Sequence, residues 1–344
     1  MNSLKTMNPI EIQNLHKSYG THIAVQDISF QIKKGEVVGF LGPNGAGKST
    51  TLKILTGFIA PSHGSAKING IDVLENPLQA QKQIGYLPEN APLYLEMTVL
   101  EYLKYIAKIR GLGRAERQNA IEKISAQCQI TDRWHQPIGE LSKGYRQRVG
   151  LAQALIHDPP IVILDEPTTG LDPNQIVEIR NLIRTIGKSK TVILSTHILS
   201  EVQVTCDRVL ILDKGRIVAD GTVEEIIQQS QSHLNWRLVL QSSKIKRSLE
   251  QVSALFSEIP NVVQVQNLAN LPSGEMGFVL TCDGDVRSEL FECVVKHGMI
   301  LLELSPYKDD LESVFHRLTE KNTTNFNQNS SQDQTLQANQ KQGL

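Results

Sequence analysis

The chain opens with two stretches in which apolar residues alternate with polar ones, Ile10 and Ile12, then Ile28, Phe30 and Ile32. A period of two is that of a strand with one buried face, so the opening reads as a short antiparallel hairpin sheet. Val37 to Leu41 is continuously apolar, as in a strand covered on both faces, and a helix pattern follows through Leu52, Ile54 and Leu55. A strand pair over Ala66 to Val73 is broken by the hairpin turn pair Asn69-Gly70, and the strand from Ile84 runs into a loop at Pro88-Glu89.

From Thr98 to Gln127 the spacing becomes helical: Thr98 and Glu101 form a capping box, and Leu100, Leu103, Ile106 and Ala107 recur along one face. A second helix follows Gly111 and Gly113. A third begins at Leu141-Ser-Lys-Gly-Tyr145, with Ser142 placed as its N-cap and Val149, Ala152 and Leu155 turned inward. These helices form an insert, about 97–158, in an α/β core. The core resumes with apolar strands at Ile161 to Leu164 and Thr191 to Ser195, and with a hairpin, Arg208 to Asp213 and Arg216 to Ala219, around Lys214-Gly215.

Beyond Gly221 the pattern changes, and Gln228 to His233 reads as a polar linker. Trp236, Leu238 and Leu240 then alternate as a strand; Ile245, Leu249, Val252, Leu255 and Phe256 fit a helix; Val263 to Gln266 and Phe278 to Thr281 read as strands. Val286, Leu290, Phe291 and Val294 fit another helix, and Met299 to Leu304 a last strand. The order β-α-β-β-α-β is that of a ferredoxin-like domain. Leu311, Val314, Phe315 and Leu318 close it as a helix. Residues 321–344 are rich in Asn, Gln, Ser and Thr and lack the apolar surface needed to offset ordering, so a disordered tail is expected. The expected organisation is an α/β domain at 8–228, an α+β domain at 234–320 and the tail.

With 344 residues and 40% apolar content there is material for two cores. A net charge of −1 leaves no bulk basic field to hold nucleic acid or an anionic bilayer. Cys128, Cys206, Cys282 and Cys293 are far apart with no C-x-x-C, which argues for a reducing compartment and against zinc. Met1 to Asn14 lacks a signal-peptide core, and no run reaches the roughly 18 apolar residues of a membrane span. A cytosolic chain that does not itself cross the membrane is expected.

The chemistry centres on Gly42-Pro43-Asn44-Gly45-Ala46-Gly47-Lys48-Ser49-Thr50, which satisfies G-x-x-x-x-G-K-[ST] between a strand and a helix. The glycines let backbone amides turn around an anion, the helix start adds its positive dipole end, and Lys48 adds a full charge. Polyphosphate is the matching ligand. Ile161 to Leu164 ends in Asp165-Glu166, two carboxylates at a strand's carboxyl end, where ligands bind in open α/β sheets. Beside a nucleotide, Asp165 can hold Mg2+ and Glu166 can polarise a water. Tyr19, before a turn, and His197, after a strand, would each by themselves be ordinary structural residues.

Taken in order, Tyr19, the phosphate loop, Glu89, Leu141-Ser-Lys-Gly-Tyr-Arg-Gln147, Ile161 to Pro167, Gly170-Leu-Asp172 and His197 resemble the nucleotide-binding subunit of an ATP-binding cassette (ABC) transporter, over about Ile10 to Glu225. The resemblance implies that Tyr19 stacks on adenine, Lys48 and the loop amides hold the β- and γ-phosphates, and Ser49 and Asp165 ligate Mg2+. It also implies Glu166 as general base, His197 at the γ-phosphate, and Asp172 as a link between two sites. Two copies, or this chain and a related cassette, would sandwich two ATP molecules, with Ser142 and Gly144 of one completing the site of Lys48 in the other. A separate transmembrane permease, contacted around Glu89 to Met97, would hold the chain at the inner face of the cell membrane. Such an enzyme is an ATPase that powers transport.

Two positions depart from the family pattern. Glu89 stands where the family has a loop glutamine, and the signature reads Leu-Ser-Lys-Gly-Tyr rather than Leu-Ser-Gly-Gly-Gln. With Thr168 to Pro173, the variant signature resembles the ATPases of ABC-2 type exporters, including those of gliding motility and drug efflux. A soluble ABC-type ATPase acting on nucleic acid or ribosomes is the alternative. The single cassette, the lack of sustained heptads and the lack of a basic patch weigh against it.

Overall fold

A computed structural model describes residues 8–230, 234–241, 248–268, 271–272, 274–307 and 311–319. The chain divides into two compact units between Val223 and Glu224.

In the first unit, β1 (Ile10–Tyr19) and β2 (His22–Ile32) form a hairpin with Tyr19 opposite His22. The chain crosses into a second sheet through β3 (Val37–Leu41) and α1 (Lys48–Leu55). It returns through β4 (His63–Ile68), which pairs with β1, and turns at Asn69-Gly70 into β5 (Ile71–Asp72). After α2 (Pro77–Lys82) comes β6 (Ile84–Leu87), then the helical insert: α3 (Val99–Ile109), α4 (Arg114–Gln127) and α5 (Lys143–Leu155). Both predicted caps are present. Thr98 and Glu101 close a capping box on α3, and the Ser142 hydroxyl accepts from the Tyr145 amide on α5.

The unit finishes with β7 (Ile161–Asp165), α6 (Pro173–Gly187), β8 (Thr191–Thr196), α7 (Leu199–Thr205), β9 (Arg208–Asp213) and β10 (Arg216–Gly221). The second sheet runs β10-β9-β3-β8-β7-β6, parallel except for the edge strand β10. Apart from the edge strand β10, its strands are largely buried on both faces, so alternate side chains enter different cores. Val38, Phe40, Ile163 and Ile193 meet the antiparallel sheet, whereas Val37, Val162, Leu164 and Val192 meet the helices. This double covering explains why these strands read as unbroken apolar runs.

Three helices of this unit, α2, α6 and α7, fall where the apolar spacing had marked none. In α6 the markers were present: Asp172 caps it through the Gln175 amide at 2.9 Å, Pro173 occupies its first turn, and Ile179, Ile183 and Ile186 are buried.

The second unit begins within α8 (Val223–Ser230), and β11 (Leu234–Gln241) follows. The polar linker expected from Gln228 is therefore helical up to Ser230. Glu224 and Glu225 suit a helix start and Ile226 anchors it, so the glutamines ride on an amphipathic turn. Next come α9 (Leu249–Ser257), β12 (Val262–Asn267), β13 (Glu275–Cys282), α10 (Arg287–Lys296) and β14 (Ile300–Pro306). The sheet is antiparallel in the order β12-β13-β11-β14, the split βαβ arrangement of a ferredoxin-like fold. Its own core includes Trp236, Leu238, Phe256, Phe278 and Leu290.

Phe291, grouped with the buried face of α10 by spacing, is exposed; Leu290 and Val294 take the inward positions. A helix spans 311–319, with Leu311 and Val314 buried. Ile245 and the tail 321–344 lie outside the described residues.

Candidate functional site

Parallel strands deliver the phosphate loop, the acidic pair and His197 to one edge of the sheet. Leu41 pairs with Thr196 and Asp165 with Ser195, so the ends of β3, β8 and β7 are neighbours. Gly47 precedes α1 at φ 101°, and a Cβ there would meet the Ala24 carbonyl, so the bend requires glycine. Lys48 is buried, with its ammonium donating to the Gly42 carbonyl at 2.6 Å and the Pro43 carbonyl at 3.2 Å. Burial lowers its pKa, against the pull of Glu166, Asp165 and Glu89.

The Ser49 hydroxyl donates to Asp165 at 3.4 Å, and burial raises the Asp165 carboxyl above its ordinary range. Glu166 adopts φ 49°, in the left-handed region that a non-glycine residue seldom occupies. Its amide donates to the Ser195 carbonyl at 2.9 Å and its carbonyl accepts from the Thr169 amide at 3.2 Å, which fixes the turn from both sides. A non-glycine residue held in that region carries backbone strain, which clusters at functional sites. His197 Nδ1 sits 2.8 Å from Glu166 Oε2, and Lys48 Nζ 3.9 Å from Oε1.

These groups border a cleft of about 380 Å³. Tyr19, the loop from Asn44 to Thr50, Glu89, Glu166 and His197 line it, joined by His22, Ala24 and Thr169. The last three were not anticipated. The turn after Tyr19 pointed toward His22, whereas Ala24 and Thr169 carry no marker of their own. Tyr19 is half exposed, with Lys17 Nζ 5.1 Å from its ring centre.

Ser142, Gly144 and Asp172 do not join this cleft. They line a second pocket with Tyr145, Arg148 and Gln175, where a Cβ on Gly144 would strike the Gln175 side chain. The Lys143 ammonium, the unusual cation of this segment, lies over Gly170, which has φ +71°.

Loop amides at a helix start, a buried ammonium and a carboxylate pair at the carboxyl end of a parallel sheet define a P-loop nucleotide-binding protein. Residues 25–169 match the sequence profile described as ABC transporter. The chain is 35% identical over 309 residues to the uncharacterized ABC transporter ATP-binding protein YxlF of Bacillus subtilis (strain 168), covering 89% of this chain and 98% of that protein. It is 30% identical over 311 residues to the bacitracin transport ATP-binding protein BcrA of Bacillus licheniformis, covering 90% and 96%. Its fold overlaps, with a TM-score of 0.57 and 25% identity, the dimeric post-hydrolysis state of the ATP-binding cassette MJ0796 bound to ADP and Pi, covering 62% of this chain and 98% of that one. The chain belongs to the ABC transporter ATP-binding proteins, a family that binds and hydrolyses ATP. Among the described residues no helix is long and apolar enough to cross a membrane.

Proposed function

We propose that this chain is the motor subunit of an ABC exporter, closing on a second nucleotide-binding subunit around ATP and hydrolysing it to drive a separate membrane permease. The observation that carries this reading is the division of the site residues between two pockets of one chain: Lys48 in one, Ser142 and Gly144 in the other. Ser142 marks the N-terminus of a 13-residue helix, whose free amides and dipole favour a phosphate. In a head-to-tail pair that terminus clamps the γ-phosphate held by the partner's loop, with Asp172, beside Ser142, at the junction. The likeness to a dimeric cassette and to a bacitracin transport subunit supports the same reading.

Within the cleft, Tyr19 stacks on adenine, and Lys48 with the amides of the loop holds the β- and γ-phosphates. Ser49 and Asp165 suit Mg2+: two oxygens face each other at 3.4 Å, and burial raises the Asp165 carboxyl in spite of Ser195, Ser49 and the Lys48 charge, so a cation would favour its ionised form. A Mg2+ ion held by these two oxygens would supply charge screening for the phosphates. Glu166 takes the proton from the attacking water, and His197 holds that carboxylate in place and reaches toward the γ-phosphate. Glu89 lines the cleft with a carboxylate oxygen where an amide oxygen is usual.

The permease docks at a groove lined by Phe58, Tyr86, Pro92, Ile106 and Ile109, beside the loop from Glu89 to Met97. Phe58 and Ile109 are exposed, and a contiguous apolar surface with a polar rim marks an interaction site. Docking there places the chain on the cytoplasmic face of the membrane. The domain at 234–320 supports the dimer or contacts a partner.

Light scattering after size exclusion of Glu166→Gln tests the reading. A monomer should become a dimer only with Mg-ATP. A chain that stays monomeric with ATP bound overturns closure between copies of itself and points to a related cassette as the second half.

A further inference from the structure

We infer that the antiparallel sheet of the first unit carries a site for a divalent transition-metal ion of the zinc class, ligated by His16, Asp27 and His63. His16 Nδ1 lies 3.3 Å and His63 Nε2 3.4 Å from the same oxygen, Asp27 Oδ1. All three donor atoms fall within 4.8 Å of one another, and among the described residues this is the one such group of three His, Cys, Asp or Glu side chains. Zinc bonds of about 2.0–2.1 Å in a tetrahedron place neighbouring donors roughly 3.3–3.4 Å apart. The spacings to Asp27 already meet that requirement.

The backbone builds this convergence. His16 of β1 and His63 of β4 are cross-strand partners, and the Ser62 amide donates to the His16 carbonyl at 2.8 Å. The two imidazoles stack with centroids 4.1 Å apart and planes 17° from parallel, so the exposed His63 ring has to turn out of the stack for both lone pairs to meet one ion. On the other side of β1, the pairing passes from Leu15–Ile28 to Lys17–Val25, so Gln26 and Asp27 together oppose His16. That is a bulge, a device that re-aims a side chain, and Asp27 takes φ 50° within it. The result is a carboxylate on β2 turned toward the rings on β1 and β4.

Two imidazoles and one carboxylate form a borderline donor set, suited to Zn2+, Ni2+ or Cu2+ rather than to Mg2+ or Ca2+, which prefer oxygen. His16 is mostly covered, at 14% exposure, and supplies the fixed ligand, whereas Asp27 and His63 are more than half exposed and leave a fourth position open to water. The cysteine spacing argues only against a thiolate site; this one uses no sulfur.

The experiment is isothermal titration of the full chain, stripped with chelator and free of nucleotide, with ZnCl2, repeated with Co2+ to read tetrahedral coordination by absorbance. One ion per chain is expected. His63→Gln and Asp27→Asn should each weaken binding by at least about tenfold, since even outer partners of metal ligands are worth that much. His135→Gln, an exposed histidine in the helical insert, should bind as the parent does. Thermal melts confirm that each variant is folded. Absence of binding, or parental binding in both His63→Gln and Asp27→Asn, overturns the assignment.

Discussion

His197 Nδ1 and Glu166 Oε2 lie 2.8 Å apart, joining the end of β8 to the residue just past β7. Lys48 lies 3.9 Å from the other carboxylate oxygen and the Thr169 hydroxyl donates to Oε2 at 3.3 Å, so three groups hold Glu166 on a backbone turn that few residues adopt. A carboxylate so confined points in one direction, which is what a base acting on a positioned water needs.

Glu166→Gln keeps the side chain's size and removes its basicity. Steady-state ATPase assays should show turnover reduced by about 10² to 10⁴, the usual worth of a positioned base, with ATP binding retained in a filter assay. Turnover at the parental rate would mean that another group takes the proton.

Complementation distinguishes a shared site from one complete in each chain. Lys48→Ala should lose ATP binding at its own loop, and Gly144→Asp should place an anion at the clamp and crowd Gln175. Each variant alone should be inactive. Mixed, they form pairs in which one site combines an intact loop with an intact clamp, so ATPase activity should return in part. A mixture as inactive as its components would place loop and clamp on the same chain.

His157 Nε2 donates to the Ile84 carbonyl, 3.2 Å away, and burial together with the nearby Arg110 charge lowers its pKa from 6.5 to about 4. The unfolded chain therefore binds a proton in this range that the folded chain refuses, with Lys190 opposing and Asp158 favouring the charged ring. The contribution to stability is complete above pH 6.5 and is lost as pH falls toward 4. The melting temperature of His157→Gln should fall less steeply than the parent's across that window. Parallel curves would show that acid sensitivity arises elsewhere.

Phe58→Asp with Ile109→Asp adds charge to the proposed docking groove. Both side chains are exposed, so melting temperature and basal ATPase should change little, while recovery of the chain with membranes of its native cell should drop by about tenfold. Undiminished recovery would move the membrane contact to another surface.

The sequence made the cleft legible because its parts are local: loop, acidic pair and caps each announce themselves within a few residues. Helix α6 escaped notice since Asp172 stood out as a member of a motif, which masked its role as an N-cap before Pro173. Phe291 was misplaced because a stripe of four apolar positions on a short helix does not say which of two adjacent side chains turns inward; packing against the sheet chose Leu290. The convergence of His16, Asp27 and His63 could not be read at all. It depends on a bulge and on strand register, neither of which leaves a pattern in apolar spacing.

The placement of Lys48 and Ser142 in separate pockets has a kinetic corollary. If each site needs half from another copy, ATPase activity per molecule grows with concentration, and a dilute, unassembled chain idles instead of consuming ATP. Only where a membrane partner gathers two subunits does the local concentration become high enough for hydrolysis, so fuel use is confined to assembled machines by mass action, without a dedicated inhibitor.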